Sequence, residues 1–135
     1  YYRRRLSASD KINVSMVNGL IKHGEVSEKF EVRTRRLDLY LEQNKINEIS
    51  LIKIDVEGYE YFVLKGLEGY FKRTKNRPPI IVEITPSAML HLGYTLDDLY
   101  DYMRGYGYHS YNIFNPNKLI DIRLICNQVD VLFRS

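Results

Sequence analysis

The sequence has no tryptophan, a single cysteine and no long apolar run. Each absence excludes something. Cys126 is alone, so no internal disulfide can form, and a reducing compartment such as the cytoplasm is expected rather than a secreted setting. No stretch approaches the roughly 20 apolar residues that a membrane-spanning helix needs. No secretory leader is read at Tyr1. No repeat or low-complexity tract is present, which argues against a solenoid or a disordered linker. What remains is a globular composition, 44% apolar and 27% charged over 135 residues, enough for one domain with its own core. Tyrosine is abundant at 12 residues. Such rings suit half-buried positions with the hydroxyl in water, or contacts to sugars and planar ligands.

Charge is distributed unevenly. Residues 1–36 hold nine Lys or Arg and four Asp or Glu, a net of +5, whereas the remaining 99 residues hold eleven and thirteen, a net of −2. The excess centres on Arg3, Arg4 and Arg5 and on Arg33, Arg35 and Arg36. Such a patch can meet phosphates or an anionic surface. A solvated basic arm is the simpler reading, and a nucleic-acid partner is not expected. Residues 1–29 are polar and weakly periodic, broken by Ser7, Asp10, Asn18, Gly19 and Gly24, and read as loop.

The chain is organised around LIKIDVEGYEYFVLKGL, residues 51–67. Leu51, Ile52, Ile54 and Val56 form an apolar run of the kind that a covered parallel strand needs. Asp55, Glu57 and Glu60 then arrive together around Gly58. The pattern predicts a strand over 51–56 that exits into a glycine turn and opens a helix with Phe62, Val63, Leu67, Tyr70 and Phe71 on one face. Alternation along a regular strand would point Lys53, Asp55 and Glu57 the same way, with Lys53 and Asp55 as a buried ion pair. Glu57 and Glu60 also suit the first turn of a helix, where the dipole favours acids.

Flanking elements follow from similar signals. Phe30, Val32 and Thr34 alternate with Glu31, Arg33 and Arg35, predicting an exposed strand over 29–35. A short helix is expected over 36–43. Pro78 and Pro79 stop any helix, and a second buried strand, residues 80–84, again carries an acid near its end, Glu83. Thr85-Pro86-Ser87 reads as a turn. Thr95 is a helix N-cap with Asp97 and Asp98 in the first turn, and the helix runs to about Arg104. Strands are predicted over 108–114 and 128–133, with Asn115-Pro116-Asn117 as a turn and a short extra strand around 118–123. From residue 51 the order is β-α-β-α-β-β, which predicts an α/β fold with a mostly parallel sheet and an antiparallel terminal hairpin. Ligands of such sheets sit beyond the carboxyl ends of the strands.

These residues resemble the FkbM family of S-adenosylmethionine-dependent methyltransferases, in its C-terminal half. The match rests on Thr34, Leu37, Asp38, Leu51 to Gly58, Glu60, Val63, Leu64, Gly66, Pro79 and Glu83. The segment GYTLDDLYDYMRGYGY resembles the family's later helix and its Gly-Tyr ending. The likeness covers residues 30–135, taken as the domain after a basic segment 1–29. It implies the C-terminal part of a Rossmann-like class I sheet, S-adenosylmethionine as cofactor, and O-methyl transfer to a sugar or natural-product hydroxyl. No Gly-x-Gly turn follows a strand, so cofactor-binding residues are not assigned. The resemblance then implies a fragment or trimmed domain, completed by a missing half or by a homo-oligomer.

Methyl transfer needs a positioned nucleophile and, for a hydroxyl, a group to take its proton. Asp55 is the first candidate, Glu57 the second and Glu83 the third. The same three acids suit a second class, Mg²⁺- or Mn²⁺-dependent phosphate chemistry. A third class is a non-catalytic interaction module. His91 and His109 read as packed and hydrogen-bonded, His23 lies in a polar loop, and Cys126 reads as buried and inert.

Overall fold

A computed structural model describes residues 12–13 and 33–135. Contacts divide the chain into two units, residues 1–36 and 37–135. In the first, β1 (Ile12–Asn13) pairs antiparallel with β2 (Arg33–Thr34), Ile12 opposite Thr34. The expected strand over 29–35 is met there only in its last part, and its residues 29–32 lie outside the described residues, as does most of the loop expected over 1–29.

The second unit is built from α1 (Leu37–Gln43), β3 (Ile52–Ile54), α2 (Glu60–Lys65), α3 (Glu68–Arg73), β4 (Ile80–Ile84), α4 (Pro86–His91), α5 (Leu96–Gly105), β5 (His109–Asn112), β6 (Asn115–Leu119) and β7 (Val129–Arg134). One five-stranded sheet runs in the order β3-β4-β7-β5-β6. Only β3 and β4 pair in parallel; β4–β7, β7–β5 and β5–β6 are antiparallel. The expectation of a mostly parallel sheet is therefore wrong. β3, β4 and β5 do share one direction, but β7 enters between β4 and β5 in the opposite sense and converts both of its neighbouring pairings.

Alternation sorts the sheet into two faces. Ile54, Ile80, Val82, Ile84, Val131 and Phe133 are buried and join one core with Leu64, Leu67, Phe71, Leu99 and Met103. The residues in the intervening register, Lys53, Asp55, Ile81, Glu83, Asp130, Leu132 and Tyr111, are half-buried or exposed. The helical face is thus the packed one, and the acids stand on the open one.

Several local readings need correction. The segment after Gly58 is two short helices, because the Gly66 carbonyl is taken by the Asp38 backbone N–H and the second helix starts afresh at Glu68. Its inward residues are Leu64, Leu67, Tyr70 and Phe71, while Phe62 is exposed. Pro86 does not simply turn the chain but occupies the first position of α4, where its missing N–H costs nothing. Asn115-Pro116-Asn117 is the start of β6, and the short strand expected around 118–123 gives way to β6 and a 3-10 turn over Ile122–Leu124. The hairpin instead turns at 113–114, where the Asn112 side chain accepts from the Phe114 and Asn115 N–H groups at 2.9 and 3.0 Å. Pro116 is tolerated because β6 is an exposed edge strand. The Thr95 cap is as read: Thr95 and Asp98 form a reciprocal capping box that starts α5.

Candidate functional site

β3 and β4 lie side by side in parallel, with Ile54 opposite Val82. Asp55 leaves the end of β3 and Glu83 stands one residue before the end of β4, so adjacent strands bring both acids to one end of the sheet. Glu57 joins them by a different route. It has φ +53°, the left-handed region, so the strand is no longer regular there. The turn nevertheless carries its carboxylate back: one oxygen each from Asp55, Glu57 and Glu83 lies within 4.8 Å of the others. Asp55 and Glu57 are exposed, and Glu83 is half-buried. One Glu83 oxygen, Oε2, is shut off from solvent and meets no hydrogen-bond donor among the described residues.

Lys53 completes the charge pattern. Its Nζ lies 3.3 Å from Asp55 and 3.1 Å from Asp130, which sits directly across from Glu83 on β7. The pair with Asp55 is present as expected, but it is not buried: the Lys53 and Asp55 side chains are 47% and 45% exposed. The hydrogen bond to Asp130 is the main influence holding the Lys53 ammonium above its ordinary range, with Asp55 adding to it against some desolvation. Asp130 carried no sequence signal, since only the placement of β7 beside β4 makes it a neighbour.

The turn that presents Glu57 is held from beneath. Glu60 is only 2% exposed, and its Oε1 accepts from the N–H groups of Val56 and Gly58 at 3.1 and 3.0 Å. A carboxylate that takes two backbone donors fixes the turn far more tightly than a dipole contact would. The Tyr94 hydroxyl donates to the Gly58 carbonyl, and its ring stacks on Tyr61 at 4.9 Å between centroids. Gly58 has φ +102°, and a Cβ there would lie 2.8 Å from the Ala88 Cβ on α4. Glycine is therefore required twice, for conformation and for the close approach of α4. Tyr94 was one of twelve tyrosines and gave no local signal of this role.

Other candidates fall outside the cluster. His91 and His109 are exposed rather than packed, although both keep polar contacts, to the Ser87 carbonyl and to Arg104. Cys126 is exposed, not buried, with its thiol 3.6 Å from the Leu124 carbonyl. For the implied S-adenosylmethionine, the described residues offer no cradle. The one glycine at the exit of β3 is filled against by Ala88, and β4 exits into Thr85 and Pro86. The three acids suit a hydroxyl-bearing acceptor or a divalent cation.

The family model described as the methyltransferase FkbM domain matches residues 3–110. No curated protein and no solved structure matches the chain.

Proposed function

The chain belongs to the FkbM methyltransferase domain family, and from that premise we propose that it handles the acceptor in an S-adenosylmethionine-dependent transfer of a methyl group to a hydroxyl of a sugar or another natural product. The observation that supports this reading is the convergence of Asp55, Glu57 and Glu83 at the ends of two adjacent parallel strands. An acceptor hydroxyl becomes a better nucleophile as it loses its proton. Asp55 is assigned as the group that accepts that proton, because it is exposed to an incoming hydroxyl and oriented by Lys53. Glu57 and Glu83 are assigned to hydrogen bonds with neighbouring hydroxyls of the acceptor. No step is assigned through the cofactor, whose cradle the described residues do not supply. A single cysteine is in keeping with a reducing, cytoplasmic setting.

Two measurements test this. Calorimetric titration with S-adenosylhomocysteine reports whether the chain completes a cofactor site. Methyl transfer from labelled cofactor to a panel of sugar acceptors reports the reaction, and Asp55→Asn is expected to lower turnover by about 100-fold or more, the scale of a lost general base. Unchanged turnover in that variant would remove Asp55 from the mechanism without touching the family assignment.

A second reading is favoured by the solvent-shielded, unpartnered Glu83 oxygen. Three carboxylates so placed can ligate Mg²⁺ or Mn²⁺, the hard cations that oxygen ligands select. Under this reading Mn²⁺ raises the unfolding temperature of the chain, and Asp55→Asn or Glu83→Gln abolishes the rise. An equal rise in both variants would exclude the site.

A further inference from the structure

A hollow of about 390 Å³ opens between α5, β5 and the chain leaving β6. It shares no residue with the acidic cluster. Its charged groups are unequally satisfied. Asp121 is engaged by Arg123 through two hydrogen bonds, Nε to Oδ1 at 2.8 Å and Nη2 to Oδ2 at 2.7 Å. The same Arg123 lies over the Tyr100 ring, 4.2 Å from its centroid. That acid and that cation therefore answer each other. Arg104 has no such answer. Among the described residues it makes no ion pair, and its Nη1 instead stands 2.7 and 2.9 Å from the two ring nitrogens of His109.

Among the described residues this is the only hydrogen-bond contact of the Arg104 side chain, whose other donors face solvent. A guanidinium has five N–H donors and accepts nothing; a neutral imidazole offers one acceptor nitrogen, and a protonated one offers none. Arg104 and His109 thus meet at the hollow, and the one carboxylate that lines it, Asp121, is already taken by Arg123. Ser110 adds a hydroxyl at the base, donating to the Ile120 carbonyl at 2.7 Å. Leu119, Ile120 and the Tyr100 ring add apolar surface to the lining. The hollow is shallow and open to solvent, and it combines apolar surface with a few convergent polar groups, the make-up of small-ligand sites. An oxyanion would take charge-assisted hydrogen bonds from the arginine, which are short and strong.

We propose that this hollow binds a small anionic ligand, its carboxylate or phosphate oxygens on the Arg104 guanidinium beside His109 and its body against Leu119, Ile120 and Tyr100. The proposal stands apart from methyl transfer, because it uses neither the acids nor the turn at Gly58.

Amide chemical-shift titration of the chain with inorganic phosphate, and separately with acetate, tests it at ionic strength held constant with sodium chloride. At least one anion is expected to give saturable shifts confined to residues 100–110 and 119–121, and the two arms separate a phosphate site from a carboxylate site. Arg104→Gln is expected to weaken binding about tenfold or more, the scale of one charge-assisted hydrogen bond. Lys75→Gln, which removes an exposed charge elsewhere, is expected to leave binding unchanged. Should Arg104→Gln not fold, Leu119→Glu places a like charge on the wall at a 60% exposed position and is expected to weaken binding as much. Saturable shifts from neither anion, or equal affinity in the native chain and the folded variant, would overturn the proposal.

Discussion

At the scale of single residues, Gly58 is constrained twice over. Its φ of +102° disfavours any side chain, and Ala88 occupies the space that a Cβ needs, with a separation of 2.8 Å. Gly93 provides the control: it has φ +80° but no atom within 4 Å of a built Cβ. Alanine at Gly93 should cost only the left-handed penalty of about 1–2 kcal/mol. Alanine at Gly58 should cost that and a further ~1–3 kcal/mol of overpacking. Urea unfolding of the two variants checks this, and equal losses would show that α4 moves aside without resistance. The consequence for the site is direct, since the displaced turn is the one that carries Glu57. Lys53 illustrates the opposite case. Its two ion pairs are well exposed, and such pairs add little stability; their effect is to orient Asp55.

At the scale of elements, the joint between α1 and α3 depends on one buried acid. Asp38 is 2% exposed; its Oδ1 accepts from the Leu39 N–H at 2.8 Å and its Oδ2 from the Gly69 N–H at 2.9 Å, which caps the first turn of α3 from another helix. Arg73 closes the joint by donating to the Asp38 carbonyl at 3.1 Å. Gly69 is small for the same reason: a Cβ there would meet Asp38 Oδ2 at 2.5 Å. Asp38→Ala leaves two part-buried backbone donors unanswered and should destabilise the protein by about 1–3 kcal/mol. A denaturant midpoint that does not move would show that water replaces the carboxylate. The Leu37-Asp38 pair that contributed to the family resemblance thus has a plain structural task, tying α1 to the helices that follow β3.

At the scale of the whole molecule, burial of tyrosine couples stability to alkaline pH. The phenols of Tyr94, Tyr102 and Tyr108 are pushed well above the ordinary tyrosine range, chiefly by burial. A group whose folded-state value is raised stabilises fully below its unfolded value, near pH 10. That contribution is lost as pH rises beyond it, because only the unfolded chain can release the proton. Absorbance at 295 nm should therefore show at least three of the 12 tyrosines resisting ionisation in the native protein and titrating normally in urea. All 12 ionising near pH 10 with the fold intact would contradict the burial of these rings.

Much of this molecule was determined by local pattern. The apolar runs before Asp55 and around Glu83 identify β3 and β4, and the acids at their exits identify the candidate site. Thr95 and Asp98 announce the start of α5, since a cap is a contact between residues three apart. The family likeness was legible for the same reason, because its motif is a contiguous strand, turn and helix. Only the tertiary structure decided the rest. The insertion of β7 between β4 and β5 made the sheet mostly antiparallel and set Asp130 beside Lys53, 77 residues away. Tyr94 reaches Gly58 across 36 residues, and Ala88 fixes that glycine from a helix read only as a turn. Strand order and direction depend on contacts between distant residues, and such contacts leave no period, cap or turn signal in the segments that make them.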